Sequence, residues 1–185
     1  MLQHQHFLWT FFVLWDYLSQ PWDYVIVALF SVLPDIDITP KKFQFLPKVL
    51  RDPLNLITSL IWKIFYLPYV MVAGWFIGEK ALEHRTITHA LWPALMLSAI
   101  IYWFYPQGGL LAFASYVLHL YFDSITKSGV RWLYPWLYIR GRLNTSSWWQ
   151  RFIPDVVLAG ALYLQTPAWL PLLLFALLIK EVRLS

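Results

Sequence analysis

Histidines and aspartates occur in three short polar segments of a chain that is otherwise strongly apolar. The residues are Asp35 and Asp37, His84 and His89, and His119 and Asp123. Together they offer the neutral nitrogen and anionic oxygen ligands that suit Zn²⁺, Mn²⁺ or Fe²⁺. We therefore expect one or two divalent ions, with Zn²⁺ as the first candidate and Mn²⁺ or Fe²⁺ as alternatives. The chain has no cysteine, which excludes thiolate ligands.

The spacing of His119 and Asp123 predicts one shared face. The two residues are four apart, so on a helix their side chains lie about one turn apart on the same side. They can then bind one ion together. Alternatively, Asp123 accepts a hydrogen bond from the second imidazole nitrogen and fixes the tautomer of His119.

Asp35 and Asp37 are two residues apart and follow a proline. A turn or an extended loop at this point can aim both carboxylates at one place, where they repel each other unless a cation or a proton lies between them. Taken alone, the pair also fits a solvated turn, since aspartate favours turns.

His84 and His89 are five residues apart, which on a continuous helix separates their side chains by ~140°. We therefore place His84 in a loop that leads into a helix, Thr88 at the N-cap and His89 in the first turn. Either histidine alone also fits a structural role.

Further candidates lie beside these pairs. His6, at the start of the first apolar run, is a candidate seventh metal ligand. We assign catalytic roles to Asp37, Arg85 and Asp123, with Arg85 binding an anionic substrate group or stabilising developing charge. The alternative for Arg85 is a contact with lipid headgroups.

The composition indicates the kind of fold that must position these residues. Of 185 residues, 59% are hydrophobic and 13% are charged, whereas soluble domains have about 25% charged residues. Apolar runs of about a dozen or more residues are separated by breaks that often contain proline. We therefore predict one integral membrane domain, residues 1–185, built only of α-helices.

The distribution of charge suggests a topology. The net charge is +4, and the basic residues cluster between apolar runs, at 41–51 and 127–151. Such clusters are typical of cytoplasmic connections. They favour a polytopic bundle of about six spans plus a re-entrant or interfacial hairpin at about 53–80. Both termini then face the cytoplasm, and the histidines and acids gather at one end of the bundle.

The polar segments also carry a family resemblance. The segments are Leu33–Asp37, His84–His89 and His119–Ser124, followed by Thr126, Gly129, Val130 and Tyr134-Pro135. In this order they resemble the YdjM-type membrane-bound, metal-dependent hydrolases, described as LexA-regulated inner-membrane proteins. The resemblance extends from about His6 to Phe152 and implies a hydrolase of the inner membrane. The chain departs from the family pattern at Thr86, Ala90 and Gln150, and the last of these stands where relatives often carry Glu.

The residues and the resemblance lead to one functional hypothesis. We expect metal-assisted hydrolysis at the cytoplasmic membrane face, with membrane lipid as partner and a phosphoester or another amphiphilic, lipid-like molecule as substrate. A metal-ion or proton transporter is the first alternative, and a structural metal site without turnover is the second. The basic residues are not gathered on a polar module, so we expect no nucleic-acid partner.

Overall fold

The computed structural model describes residues 3–37, 87–144, 146–147 and 149–184, with isolated positions between 56 and 75. It begins with two short helices. Helix α1 is Gln3–Leu14 and helix α2 is Pro21–Val32. Proline suits the first position of α2, where no backbone N–H is needed. A 3-10 helix, Leu33–Asp37, follows α2 directly and carries Asp35 and Asp37, the first pair of candidate site residues.

The second group of helices contains the central one. A 3-10 helix, Ile87–His89, leads into α3, Leu91–Phe104, and α4 follows as Pro106–Ser124. Helices α1, α2 and α3 all pack against α4. This helix therefore lies at the centre of the packing and brings His119 and Asp123 with it.

A small antiparallel sheet lies beyond the C-terminal end of α4. Strands β1, Val130–Leu133, and β2, Leu137–Gly141, form a hairpin. Helices α5, Ile153–Tyr163, and α6, Trp169–Ala176, come next, and β3, Ile179–Leu184, pairs with β2. The strand order is β1-β2-β3.

Two of the three apolar clusters among the described residues lie along the C-terminal half of the central helix. The first contains Trp9, Phe122, Ile125, Leu143, Leu158 and Phe175, and the second contains Phe30, Ala94, Ala112, Tyr116, Leu120 and Val130. Burying one large apolar side chain contributes about 1.5–3 kcal/mol. Because α4 contributes to both clusters, its His119 and Asp123 are held between two packed regions.

The predicted all-α polytopic bundle is wrong. Among the described residues, no helix combines the length and the apolarity that a membrane crossing requires. Helix α3 has 14 residues, which gives a length of ~21 Å against a hydrocarbon core of ~30 Å. Helix α4 is longer, but polar residues interrupt its apolar sequence.

One basic stretch and one apolar stretch also form β-strands that were not predicted. The basic stretch at 127–151, predicted as a cytoplasmic connection, contains the β1–β2 hairpin. The last apolar run ends as a helix at Ala176 and continues as strand β3. The predicted hairpin at 53–80 and the basic stretch at 41–51 lie outside the described residues, apart from isolated positions between 56 and 75.

Candidate metal centre

Four buried side chains from three segments meet in one group. Asp35 comes from the 3-10 helix after α2, His89 from the 3-10 helix before α3, and His119 and Asp123 from α4. One ligand atom of each residue lies within 4.8 Å of those of the others, and the group can hold a metal ion. Buried acids and histidines of this kind are rare unless they are paired or bind a cation.

The two imidazoles face the two carboxylates through the same ring nitrogen. His89 Nε2 lies 3.3 Å from Asp35 Oδ1 and 3.4 Å from Asp123 Oδ2. His119 Nε2 lies 3.6 Å from Asp35 Oδ1 and 3.8 Å from Asp123 Oδ2. Two nitrogen and two oxygen atoms therefore converge on one point.

The tautomer of His119 is fixed by a backbone carbonyl. His119 Nδ1 lies 2.7 Å from Ser31 O, and since a carbonyl oxygen only accepts, Nδ1 carries the hydrogen. Within the described part of the chain, His119 Nε2 has no hydrogen-bond partner. His119 Nε2 therefore faces two carboxylates, an arrangement that a cation bound between them stabilises.

The carboxyl group of Asp35 is held in its ionised form. Burial raises the pKa of Asp35, but interactions with His119 and His89 outweigh burial and hold this pKa well below its usual range. An ionised carboxylate is the form that binds a metal. The donor set therefore fits a divalent cation.

His6 lies beside the group of four. Its Nε2 is 3.3 Å from Asp123 Oδ1, and its ring stacks on that of His119 with centroids 3.9 Å apart. Burial, reinforced by the charge of His119 and only partly offset by Asp123, lowers the pKa of His6 to about 3. A neutral His6 with its hydrogen on Nε2 donates to Asp123. The structure thus places His6, predicted as a seventh ligand, outside the group of four and in contact with Asp123, a candidate ligand.

A tyrosine that the sequence did not single out supports His89. The Tyr116 hydroxyl donates to the backbone oxygen of Thr88, and Thr88 Oγ1 lies 3.2 Å from His89 Nδ1. Tyr116, His119 and Asp123 lie on α4 at intervals of three and four residues, so one helix face presents all three. This spacing could have identified Tyr116 from the sequence alone.

The predicted local structure around Thr88 differs from the observed one. His89 ends a 3-10 helix, and the N-cap of α3 is Ala90, which makes no side-chain capping bond. The Thr88 hydroxyl therefore approaches His89 and does not cap α3. Gln150, which the resemblance marks as a departure from the family pattern, accepts a hydrogen bond from the Asn144 N–H at 2.8 Å and is not part of the group of four.

Three predicted site residues receive no structural test. Asp37 ends its 3-10 helix, but its side chain lies outside the described part. His84 and Arg85 lie entirely outside the described residues. Their roles stay predictions.

Fold and site together define a helical protein with a buried two-histidine, two-aspartate group that can bind metal. The model of the family described as YdjM inner membrane protein matches residues 1–182. The chain belongs to this family, which confirms the resemblance carried by the three polar segments. Neither a search of curated proteins nor one of solved structures finds a match.

Proposed function

We propose that this protein is a membrane-associated, metal-dependent hydrolase. The observation that supports the proposal most directly is the orientation of His119, whose Nδ1 is held by Ser31 O and whose Nε2 faces two buried carboxylates. Asp35, His89, His119 and Asp123 would hold the ion. A divalent ion there would polarise a phosphoryl or carbonyl oxygen and lower the pKa of water.

The nitrogen and oxygen donors make Zn²⁺ the first candidate, since it commonly binds histidine with carboxylate. Mn²⁺ and Fe²⁺ remain the alternatives. The imidazoles supply the two nitrogen donors, and contacts outside the group hold the Nδ1 atom of each ring, Ser31 O for His119 and Thr88 Oγ1 for His89.

Residues of the chain would also take part in proton transfer and in binding of the substrate. Asp35, whose pKa is far below neutrality, is suited to ligation and is a weak proton acceptor. We assign the proton transfer to Asp123, whose Oδ1 contacts His6, because this contact can hold the carboxylate in position. Arg85 and Asp37 keep their predicted roles in binding an anionic group and in catalysis.

An amphiphilic, lipid-like substrate fits the family and the exposed surface of this protein. The family is described as inner membrane proteins, and large apolar side chains are exposed on several helices, with Trp103 at 85% and Tyr163 at 87%. Exposed apolar surface of this kind marks contact with lipid or protein. We propose a phosphoester or another amphiphilic molecule as the substrate class.

The first experiment is metal analysis of the detergent-purified protein after loading with Zn²⁺. We expect bound Zn²⁺ in the wild type and a large loss in His119→Ala. The control is His4→Ala, the same substitution at an exposed histidine that only approaches Asp155. Wild-type protein that binds no divalent ion would refute the proposal.

The second experiment separates an enzyme from a structural metal site. Four protein ligands, all buried, are also typical of closed structural zinc sites, so a stabilising role is the second candidate. Turnover of phospholipid and phosphodiester substrates, lost in His119→Ala and kept in His4→Ala, supports the hydrolase. Bound Zn²⁺ without turnover, with a lower melting temperature after chelation, supports the structural role.

A further inference from the structure

Four cationic side chains line one open cavity beside the sheet. The cavity has a volume of about 510 Å³ and is lined by Lys127, Arg140, Gly141, Arg142 and Lys180. Every ionisable residue of this described lining is a cation. The volume is in the range of pockets that bind small molecules, about 300–1,000 Å³. We call it the basic pocket.

The chain brings these cations together from three segments. Lys127 follows the end of α4, Arg140 and Arg142 lie at the end of β2, and Lys180 lies in β3. Arg140 pairs in register with Glu181, whereas Gly141 pairs with Ile179. The register therefore skips Lys180, and a bulge of this kind turns a side chain away from its regular direction.

The backbone beneath the basic pocket is tightly packed. A Cβ atom on Gly141 would lie 2.0 Å from Ile125 O, so only glycine fits there. The Gly141 N–H donates to Thr126 O, and the Lys127 N–H donates to Leu143 O, each at 2.9 Å. Two of the lining segments are thus fixed to each other before any ligand binds, which lowers the entropic cost of binding.

The charge of the basic pocket is only partly compensated. Glu181 forms an ion pair with Arg140 and a second one with Arg183. Among the residues that the structure describes, no carboxylate pairs with the other three lining cations. Like charges held near one another repel by about 1 kcal/mol at 4 Å in water and by more where solvent is limited. An anion in the pocket would relieve this repulsion.

We propose that the basic pocket binds a phosphate group, carried by a lipid headgroup or free in solution. A phosphate monoester has a charge of about −1.5 to −2 at neutral pH and three strong acceptor oxygens. Guanidinium groups bind such oxygens in pairs, and ammonium groups act as point charges. No residue of the basic pocket belongs to the candidate metal centre, so the proposal is independent of the proposed hydrolysis.

The test measures phosphate binding in the presence of EDTA, so that a metal ion cannot contribute. Inorganic phosphate is titrated calorimetrically into the detergent-purified protein, and fluorescent phosphatidic acid in the same detergent is followed by polarisation. The test variant is K127Q/R142Q. The matched control is R131Q/R183Q, which removes the same charge from the sheet but leaves the lining intact.

We expect K127Q/R142Q to weaken binding by about tenfold or more, while the control changes it by less than about twofold. Binding of phosphate alone identifies a soluble ligand, and binding of phosphatidic acid alone identifies a lipid headgroup. Failure of both probes to bind, or equal losses in the two double variants, overturns the proposal. Lys180→Gln, a single exposed change, provides the same comparison if the double variant does not fold.

Discussion

A buried aspartate lies near each end of helix α4, and the two aspartates differ in the groups that contact their carboxylates. Near its beginning, Gln107 and Tyr105 contact Asp23, which is completely buried. Near its end, α4 carries Asp123, which is equally buried and faces His89 and His119. One carboxylate is surrounded by hydrogen-bond donors, and the other by imidazoles.

Asp23 illustrates a carboxylate that protein groups satisfy. Its Oδ2 accepts the backbone N–H groups of Ser19 and Gln20, both at 2.8 Å, and the Gln107 amide at 3.1 Å. Its Oδ1 accepts the Tyr105 hydroxyl at 2.6 Å. These contacts fix the start of α2 to the start of α4, and they leave no chemical reason for a cation.

The contrast suggests how to distinguish a structural aspartate from a metal-binding one. Burial alone does not separate Asp23 from Asp123. The neighbours do, because N–H and O–H groups stabilise an isolated carboxylate, whereas the lone pair of His119 needs a cation or a proton between it and the acid.

The largest expected effect is that of Asp123→Asn on metal binding. The substitution keeps the shape of the side chain and removes its negative charge, so we expect Zn²⁺ affinity to fall by more than about 100-fold. Competition with a chelator of known affinity measures the change. Asp23→Asn is the matched control, and a similar loss of affinity there would remove the contrast between the two aspartates.

His6→Phe should have the next largest effect. Phenylalanine preserves a flat ring against His119 but cannot donate to Asp123 Oδ1. Loss of a group that orients a ligand typically lowers metal affinity by about 10–100-fold. The same chelator competition gives the value. An unchanged affinity would show that His6 only fills space beside His119.

The candidate metal centre should also differ from the Asp23 contacts in its response to pH. Histidine binds a metal ion only through a deprotonated ring nitrogen, so Zn²⁺ affinity should fall as the pH falls and protons compete for the same nitrogens. Metal content measured between pH 7 and pH 4.5 tests this. Retention of Zn²⁺ throughout that range would contradict ligation by His89 and His119.

The Asp23 contacts should persist over the same pH range. Burial raises the pKa of Asp23, but hydrogen bonds from Tyr105, Gln20 and Ser19 outweigh it and lower this pKa below its usual value. A carboxyl group with a lowered pKa stabilises the fold above its unfolded pKa of about 3.9 and loses that contribution as the pH falls through the folded value. Melting temperatures of the chelated wild type and of Asp23→Asn should therefore converge only below about pH 4.

The smallest effect concerns stability without metal. Asp23→Asn should lower the free energy of unfolding by about 1–3 kcal/mol, because hydrogen bonds to a charged acceptor are weakened. Chemical denaturation of the metal-free protein measures the difference, with Asp16→Asn, an exposed aspartate in the turn after α1, as control. Equal stabilities of the two variants would mean that the contacts of Asp23 contribute nothing net.

The sequence predicted local relations better than distant ones. The spacing of His119 and Asp123 predicted one helix face because helix geometry is local. The turn or extended loop predicted after Pro34 is a 3-10 helix, Leu33–Asp37, which brings Asp35 into the group of four. That Ser31 O fixes the tautomer of His119 depends on how α2 packs against α4, which no short spacing encodes.

The errors in the fold have a physical cause as well. Residues 130–141 combine β-branched and aromatic residues with arginines, and the charges favoured a connection between spans over strands. Apolar runs were treated as crossings, although prolines and turns divide them into helices such as α6, with eight residues. Composition indicates how many apolar residues the chain has but not where its helices and strands begin and end.

The segment from Asp123 to Lys127 joins the candidate metal centre to the basic pocket. Thr126 Oγ1 donates to Asp123 O at 2.7 Å, and Thr126 O accepts the Gly141 N–H at 2.9 Å, so these few residues are anchored from both sides. If phosphate in the pocket alters the affinity of the centre for Zn²⁺ by some factor, Zn²⁺ must alter the affinity for phosphate by the same factor. Five residues of backbone would then act as a thermodynamic linkage between an anion and a cation.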